Sequence, residues 1–182
     1  MRTDHLDRVV TVRGSTPRLA IPVATGVGTG PTELAAFDAA LIATGVANFN
    51  LLRLSSVIPP GSVVTAVDGP VAPAGGWGDR LYVVMAERRT SRPGSTVAAG
   101  IGWVQHPEHG HGLFVEHEAE TEEQVRADIA ATLGALTSAR SMDGFRTREV
   151  LTSARCEGTP TCALAVAVFE AEPWRGTDLD LR

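Results

Sequence analysis

Apolar positions along this chain repeat with two different periods, and those periods divide it into helices and strands. After Thr32 the residues Leu34, Phe37 and Leu41 fall at i, i+3 and i+7, the spacing of one buried helix face. Thr32 is a suitable N-cap and Gly45 a suitable stop, so a first helix is predicted between them. A second helix is predicted after Thr121. Thr121-x-x-Gln124 resembles a capping box, Glu122 and Glu123 suit the positive helix start, and Val125, Ile129, Leu133 and Leu136 form an apolar stripe. Strand-like runs occupy residues 19–24, 48–56, 62–67, 80–86, 97–104, 112–118, 148–153 and 162–170. In 112–118, alternation puts Phe114, Glu116 and Glu118 on one face and Leu113, Val115 and His117 on the other. Pro22 favours an edge position for the first of these strands. The Thr-Gly-Val-Gly-Thr-Gly segment at 25–30 reads as a glycine-rich loop.

Two helices among some seven strands, with no internal repeat and no linker, predict one α+β layered domain. Residues 1–18 alternate charged and β-branched residues and read as an edge strand or a mobile arm. The domain is expected over 19–172, and 173–182 form a polar, loose tail.

Composition narrows the function classes. With 182 residues, 43% hydrophobic and 20% charged, the chain is long and apolar enough to bury a core. A formal net charge of −5 with no basic cluster disfavours nucleic acid and anionic membrane surfaces. No apolar run approaches a membrane span, and the polar N-terminus has no signal-peptide core, so the expected location is the cytoplasm. Cys156 and Cys162 are then expected as reduced thiols. The glycines at 26, 28 and 30 lack a Walker lysine and the G-x-G-x-x-G spacing, so they are read as backbone features rather than a nucleotide site. His106, His109, His111 and His117 invite a zinc reading. But His106-Pro107-Glu108-His109-Gly110-His111 looks like a polar hairpin turn and no H-E-x-x-H helix exists, so no metal is expected.

The chemistry-bearing segment is Asn48-Phe49-Asn50-Leu51-Leu52-Arg53-Leu54-Ser55-Ser56-Val57-Ile58-Pro59-Pro60-Gly61. An apolar run ends in two hydroxyls and is stopped by Pro-Pro-Gly, a place where backbone can be strained. Every one of the 16 basic residues is arginine, so no lysine is present to carry an amine-derived electron sink.

This segment resembles the self-cleavage site of the pyruvoyl-dependent arginine decarboxylases. Three further blocks in register are similar to that family: Leu34-Ala35-Ala36-Phe37-Asp38-Ala39-Ala40-Leu41, Gly112-Leu113-Phe114-Val115-Glu116-His117-Glu118, and the small-residue strand Cys162-Ala163-Leu164-Ala165-Val166-Ala167. The resemblance spans about residues 20 to 170. It implies a four-layer αββα sandwich, cleaved by itself between Ser55 and Ser56 into two chains. Ser56 would become a covalent pyruvoyl group that binds an amino acid as a Schiff base, most simply L-arginine going to agmatine and carbon dioxide. It assigns Ser56, Glu116 and Asn50 as catalytic residues. Glu116 would be the general acid, on a strand in an apolar stretch where burial keeps a carboxyl protonated. Asn50 would orient the processing peptide or the ketone from the same strand face as Ser56. Asp38 would pair with the substrate guanidinium across a subunit interface, beside Ser55. Trimers or dimers of trimers are the expected assemblies. The long N-terminal arm, the tail and the histidine hairpin depart from the family core. The same chemistry on another amino acid, or an uncleaved trimeric scaffold, are therefore the alternatives.

Overall fold

The computed structural model describes residues 19–174. The N-terminal arm and all but the first two residues of the polar tail lie outside them. Nine strands and two helices follow in the order β1 (Ala20–Thr29), α1 (Glu33–Thr44), β2 (Asn50–Arg53), β3 (Val57–Ile58), β4 (Val63–Ala66), β5 (Arg80–Thr90), β6 (Thr96–Gln105), β7 (Gly112–Ala119), α2 (Glu122–Ala139), β8 (Arg146–Arg155) and β9 (Thr161–Glu172) among the described residues. They form an α+β fold with two sheets. The first has strand order β2-β5-β9-β1-β4 and the second β3-β7-β6-β8.

Strand β9 shows how the sequence builds the core. Its Cys162, Leu164, Val166 and Val168 join Ala36 and Ala40 of α1 in one apolar cluster. The alternate residues Ala165 and Ala167 face the other way and join Ile21, Val84, Ile101, Trp103 and Phe114 between the sheets. A strand buried on both faces needs this unbroken apolar run, and alanines on one face let the sheets come close. Helix α2 sets Val125, Ile129 and Leu133 against Val104, Leu113 and Val115 of the second sheet. Cys156 and Cys162 are both buried free thiols, and burial pushes the Cys162 thiol up to about 12.

The second helix follows its sequence closely. The Thr121 hydroxyl accepts from Gln124 N at 3.2 Å. The capping box is only half made, because the Gln124 amide turns to Asp128 instead. The first helix has the expected ends, with Thr32 accepting from Ala35 N and Gly45 in the left-handed region at φ 83°. Its buried face differs from the expected one. Ala36, Ala40 and Thr44 are buried, Phe37 and Leu41 half-buried, and Leu34 is 68% exposed.

The reason lies in the glycine segment, which is no loop but the C-terminal half of β1. A Cβ on Gly28 would stand 2.2 Å from the Ala36 carbonyl oxygen and 2.3 Å from Ala40 N. Helix backbone rests directly on strand backbone there, and only alanines fit between them. Larger side chains are displaced to the flanks. Strand β1 is not an edge strand either, since β9 and β4 flank it. Pro22 is tolerated because pairing with β9 begins one residue later, at Val23.

Candidate active site

The serine segment is not one strand. Strand β2 runs parallel to β5 at the edge of the first sheet, and the last tie on that side is Leu54 N–H to the Val83 carbonyl at 2.9 Å. The chain then crosses to the edge of the second sheet. There β3 pairs with β7, Val57 opposite Leu113 and Ile58 opposite Gly112. Just before it, the Ser56 carbonyl accepts from Phe114 N–H at 2.8 Å. The Ser55–Ser56 peptide is therefore the link stretched between two sheets. Ser55 is exposed and Ser56 half-buried.

Backbone strain sits at this link. Ser56 has φ 66°, in the left-handed region where a side chain crowds the backbone. For a residue with a Cβ that conformation costs roughly 1–2 kcal/mol. Pro60 and Gly61 then make the turn into β4, with the Ser62 hydroxyl closing onto the Pro59 carbonyl at 2.7 Å.

Glu116 meets Ser56 from β7. Alternation along β7 turns Phe114 toward the other sheet and Leu113 and Val115 toward α2, as the sequence predicts. His117, on the α2 side, bonds Thr132 at 2.8 Å. Glu116, half-buried, takes the Phe114 side, and the Ser56 hydroxyl donates a hydrogen bond to its Oε1. A carboxylate in this position can remove the hydroxyl proton, which makes the oxygen a nucleophile beside the carbonyl of Ser55.

Two other expected site residues are placed elsewhere. Asn50 opens β2, but β2 ends at Arg53, so Asn50 and Ser56 share no strand face. Its Nδ2 donates to the Gly78 carbonyl at 2.5 Å, in the loop before β5. The Trp174 indole N–H reaches that same carbonyl at 2.9 Å, and Arg80 lies 4.7 Å from the Trp174 ring centroid. The start of the tail is thus docked rather than loose. Asp38 is exposed on α1, over the outer face of the first sheet, and its side chain has no hydrogen bond or ion pair within the described residues. Beside it, Phe37 is covered by the Arg89 guanidinium at 3.9 Å, which Glu87 holds through two 2.9 Å bonds. Nothing in the local sequence pairs Phe37 with Arg89, because the contact joins α1 to β5.

The histidines form a stacked group, His106 lying 4.5 Å from His109 and 5.2 Å from His111 between ring centroids. Among the described residues no group of three or more His, Cys, Asp or Glu is arranged to hold a metal ion. Sequence reasoning passed over Gln105, which ends β6 and bonds both to this turn and to the one after the serine pair. A lone glutamine at a strand end carries no local signal of that role.

Comparison with known proteins agrees with this arrangement. Residues 20–173 match the family model for pyruvoyl-dependent arginine decarboxylase. A pyruvoyl-dependent arginine decarboxylase of Halobacterium salinarum is 40% identical over 156 residues, covering 82% of this chain and 92% of that protein. One from Methanococcoides burtonii is 36% identical over 124 residues, 63% of this chain and 67% of its own length. The enzyme of that name from Pyrococcus abyssi is 36% identical over 122 residues, 62% and 72% respectively. A serine pair at a strained crossing, a carboxylate bonded to its second hydroxyl, and a family match over nearly every described residue converge: this chain belongs to the pyruvoyl-dependent arginine decarboxylase family.

Proposed function

We propose that this chain is a self-processing decarboxylase that converts L-arginine to agmatine and carbon dioxide with a pyruvoyl group made from Ser56. The observation that carries the reading is the hydrogen bond from the Ser56 hydroxyl to Glu116, at a residue held with φ 66°. In the processing step Glu116 takes the hydroxyl proton and Ser56 Oγ attacks the Ser55 carbonyl carbon, exchanging the amide for an ester. Loss of the Cα proton and cleavage of the Cβ–Oγ bond then release a Ser55 carboxylate and leave a dehydroalanine at 56. Tautomerisation and hydrolysis of that end consume one water, release ammonia and give the ketone.

The fit rests on this chain's own atoms. Among the described residues Ser56 is the only hydroxyl bonded to Glu116, and the segment after it would stay fastened to β7 with the bond before it gone. When present at position 56, held by the pairing of β3 with β7, the ketone would supply the sink for the electron pair left by carbon dioxide. Glu116 is then the group in place to return a proton to the α-carbon. An electron sink built from the backbone also answers the absence of lysine.

Asp38 is the side chain offered to the substrate guanidinium, as an exposed carboxylate able to accept two parallel N–H bonds. It lies on α1 over one sheet, whereas Glu116 belongs to the other. Completion of the site between subunits of a trimer, or a dimer of trimers, reconciles the two positions. With α1 on the first sheet, α2 on the second and a shared core between, the packing is read as a four-layer αββα sandwich. In that frame Ser55 borders the substrate, and Asn50, whose amide donates to the Gly78 carbonyl, is offered to the processing peptide or the ketone from the loop side of the site. No described helix is long and apolar enough to cross a membrane, and two buried unpaired thiols suit the reducing cytoplasm.

Intact-mass spectrometry tests the reading. The expected result is two fragments separated between Ser55 and Ser56, the second ending in a group that borohydride traps with arginine. A fully active sample with the chain unbroken would refute it.

A further inference from the structure

Cutting the Ser55–Ser56 bond turns the catalytic position into a chain end, and chain ends fray unless tied down. Close to the cut the ties are few: the Ser56 carbonyl on Phe114 N–H and the two-residue pairing of β3 with β7. The next ties, at Gly61 and Ser62, come from the turn at residues 106–110 between β6 and β7 and from Gln105 just before it. Gly61 N–H donates to the His109 carbonyl at 2.7 Å. The Gln105 amide donates to the Ser62 carbonyl at 3.0 Å and to the Gly110 carbonyl at 2.7 Å, bridging the two turns. They touch at backbone level, since a Cβ on Gly110 (φ 72°) would fall 2.6 Å from the Ser62 oxygen.

His106 shapes this turn. Its Nδ1 accepts from the backbone N–H groups of Glu108 at 3.2 Å and His109 at 3.1 Å, the part an Asn or Asp oxygen plays in an Asx-turn. That places the His109 carbonyl under Gly61. Resting on the self-processing reading above, we propose that the turn at 106–110 is a latch on the catalytic chain end. Gln105 and His106 are positioning residues that keep the end made from Ser56 seated beside Glu116 once the covalent link is lost.

The test compares His106→Ala with His106→Asn, whose side-chain oxygen restores the acceptor but does not titrate. His106→Ala should cleave normally yet lose about tenfold in kcat, the worth of one or two net hydrogen bonds, with KM little changed. His106→Asn should regain most of that loss. In parallel, hydrogen exchange is followed at Gly61 in the intact Ser56→Ala chain, where no cleavage is needed. Adding His106→Ala should speed exchange there and His106→Asn should not. Unchanged Gly61 protection in His106→Ala overturns the latch even if the wild type never cleaves. Failure of the wild type to cleave, with protection lost as expected, counts instead against self-processing.

Discussion

The strain at Ser56 can be measured by comparing Ser56→Ala with Ser56→Gly. Both variants lack the nucleophile and both lose the bond to Glu116, so both remain intact chains that differ by one Cβ. At φ 66° that Cβ costs roughly 1–2 kcal/mol, whereas glycine enters the region freely. Glycine gives back about 0.4–1 kcal/mol through the greater freedom of its unfolded chain. The net expectation is that Ser56→Gly is more stable by about 0.5–1 kcal/mol. For a chain of 182 residues this corresponds to a Tm higher by about 1–4 °C, read by calorimetry at equal protein concentration. The sign is the discriminating quantity, because at an ordinary strand or helix position alanine wins by about the same amount. Equal stability, or a more stable Ser56→Ala, would show that the scissile residue is not strained. The size of the strain also sets its part in the chemistry. On the self-processing reading, a store of about 1–2 kcal/mol would speed the attack on Ser55 by only about five- to thirtyfold, so most of the acceleration would have to come from proton removal by Glu116.

Glu116→Gln keeps an acceptor for the Ser56 hydroxyl but cannot take or return a proton, so cleavage and turnover should each slow by roughly 10²–10⁴-fold. Gel time courses and single-turnover carbon dioxide release measure the two rates, and a wild-type value in either removes Glu116 from that role. Asp38→Asn should leave cleavage intact and raise the KM for arginine by about ten- to a hundredfold, the loss of a charged hydrogen bond; an unchanged KM would place guanidinium recognition elsewhere. Gly28→Ala should destabilise the fold by about 1–3 kcal/mol or more, since the new Cβ meets helix backbone that cannot rotate away. A urea melt like that of the wild type would contradict the close contact of α1 with β1.

What could be read from the sequence was whatever a single element decides for itself. The stripe of α2 and the alternation of β7 were legible because large apolar side chains face one neighbour each; the alternation gave the face of Glu116, while its role came from the family resemblance of its block. The glycines of β1 were misread because glycine looks the same locally in a loop and in a strand. Their role is set by α1 lying across them, a contact that also exchanged the expected Leu34 face for Ala36 and Ala40. Pro-Pro-Gly correctly marked a bend after the serines. It could not show that the residues before and after the serine pair belong to different sheets, so the shared strand face expected of Asn50 and Ser56 does not form.

On the self-processing reading, the position of the Ser55–Ser56 bond explains how the chain would be cut without unfolding. Each flank is paired with a different sheet, β2 with β5 and β3 with β7, so the cut severs no strand ladder. The sheets do not depend on the crossing to stay together, because Ile21, Val84, Ile101, Trp103, Phe114 and Ala165 already form a buried core between them. A bond inside β9, paired on both sides and buried on both faces, would have no such freedom. On that reading the crossing is the part of the backbone that would carry strain, be spent in one reaction, and leave its downstream end fixed beside Glu116. That end then depends on β3, which is only two residues long, and on the turn at 106–110 for its place.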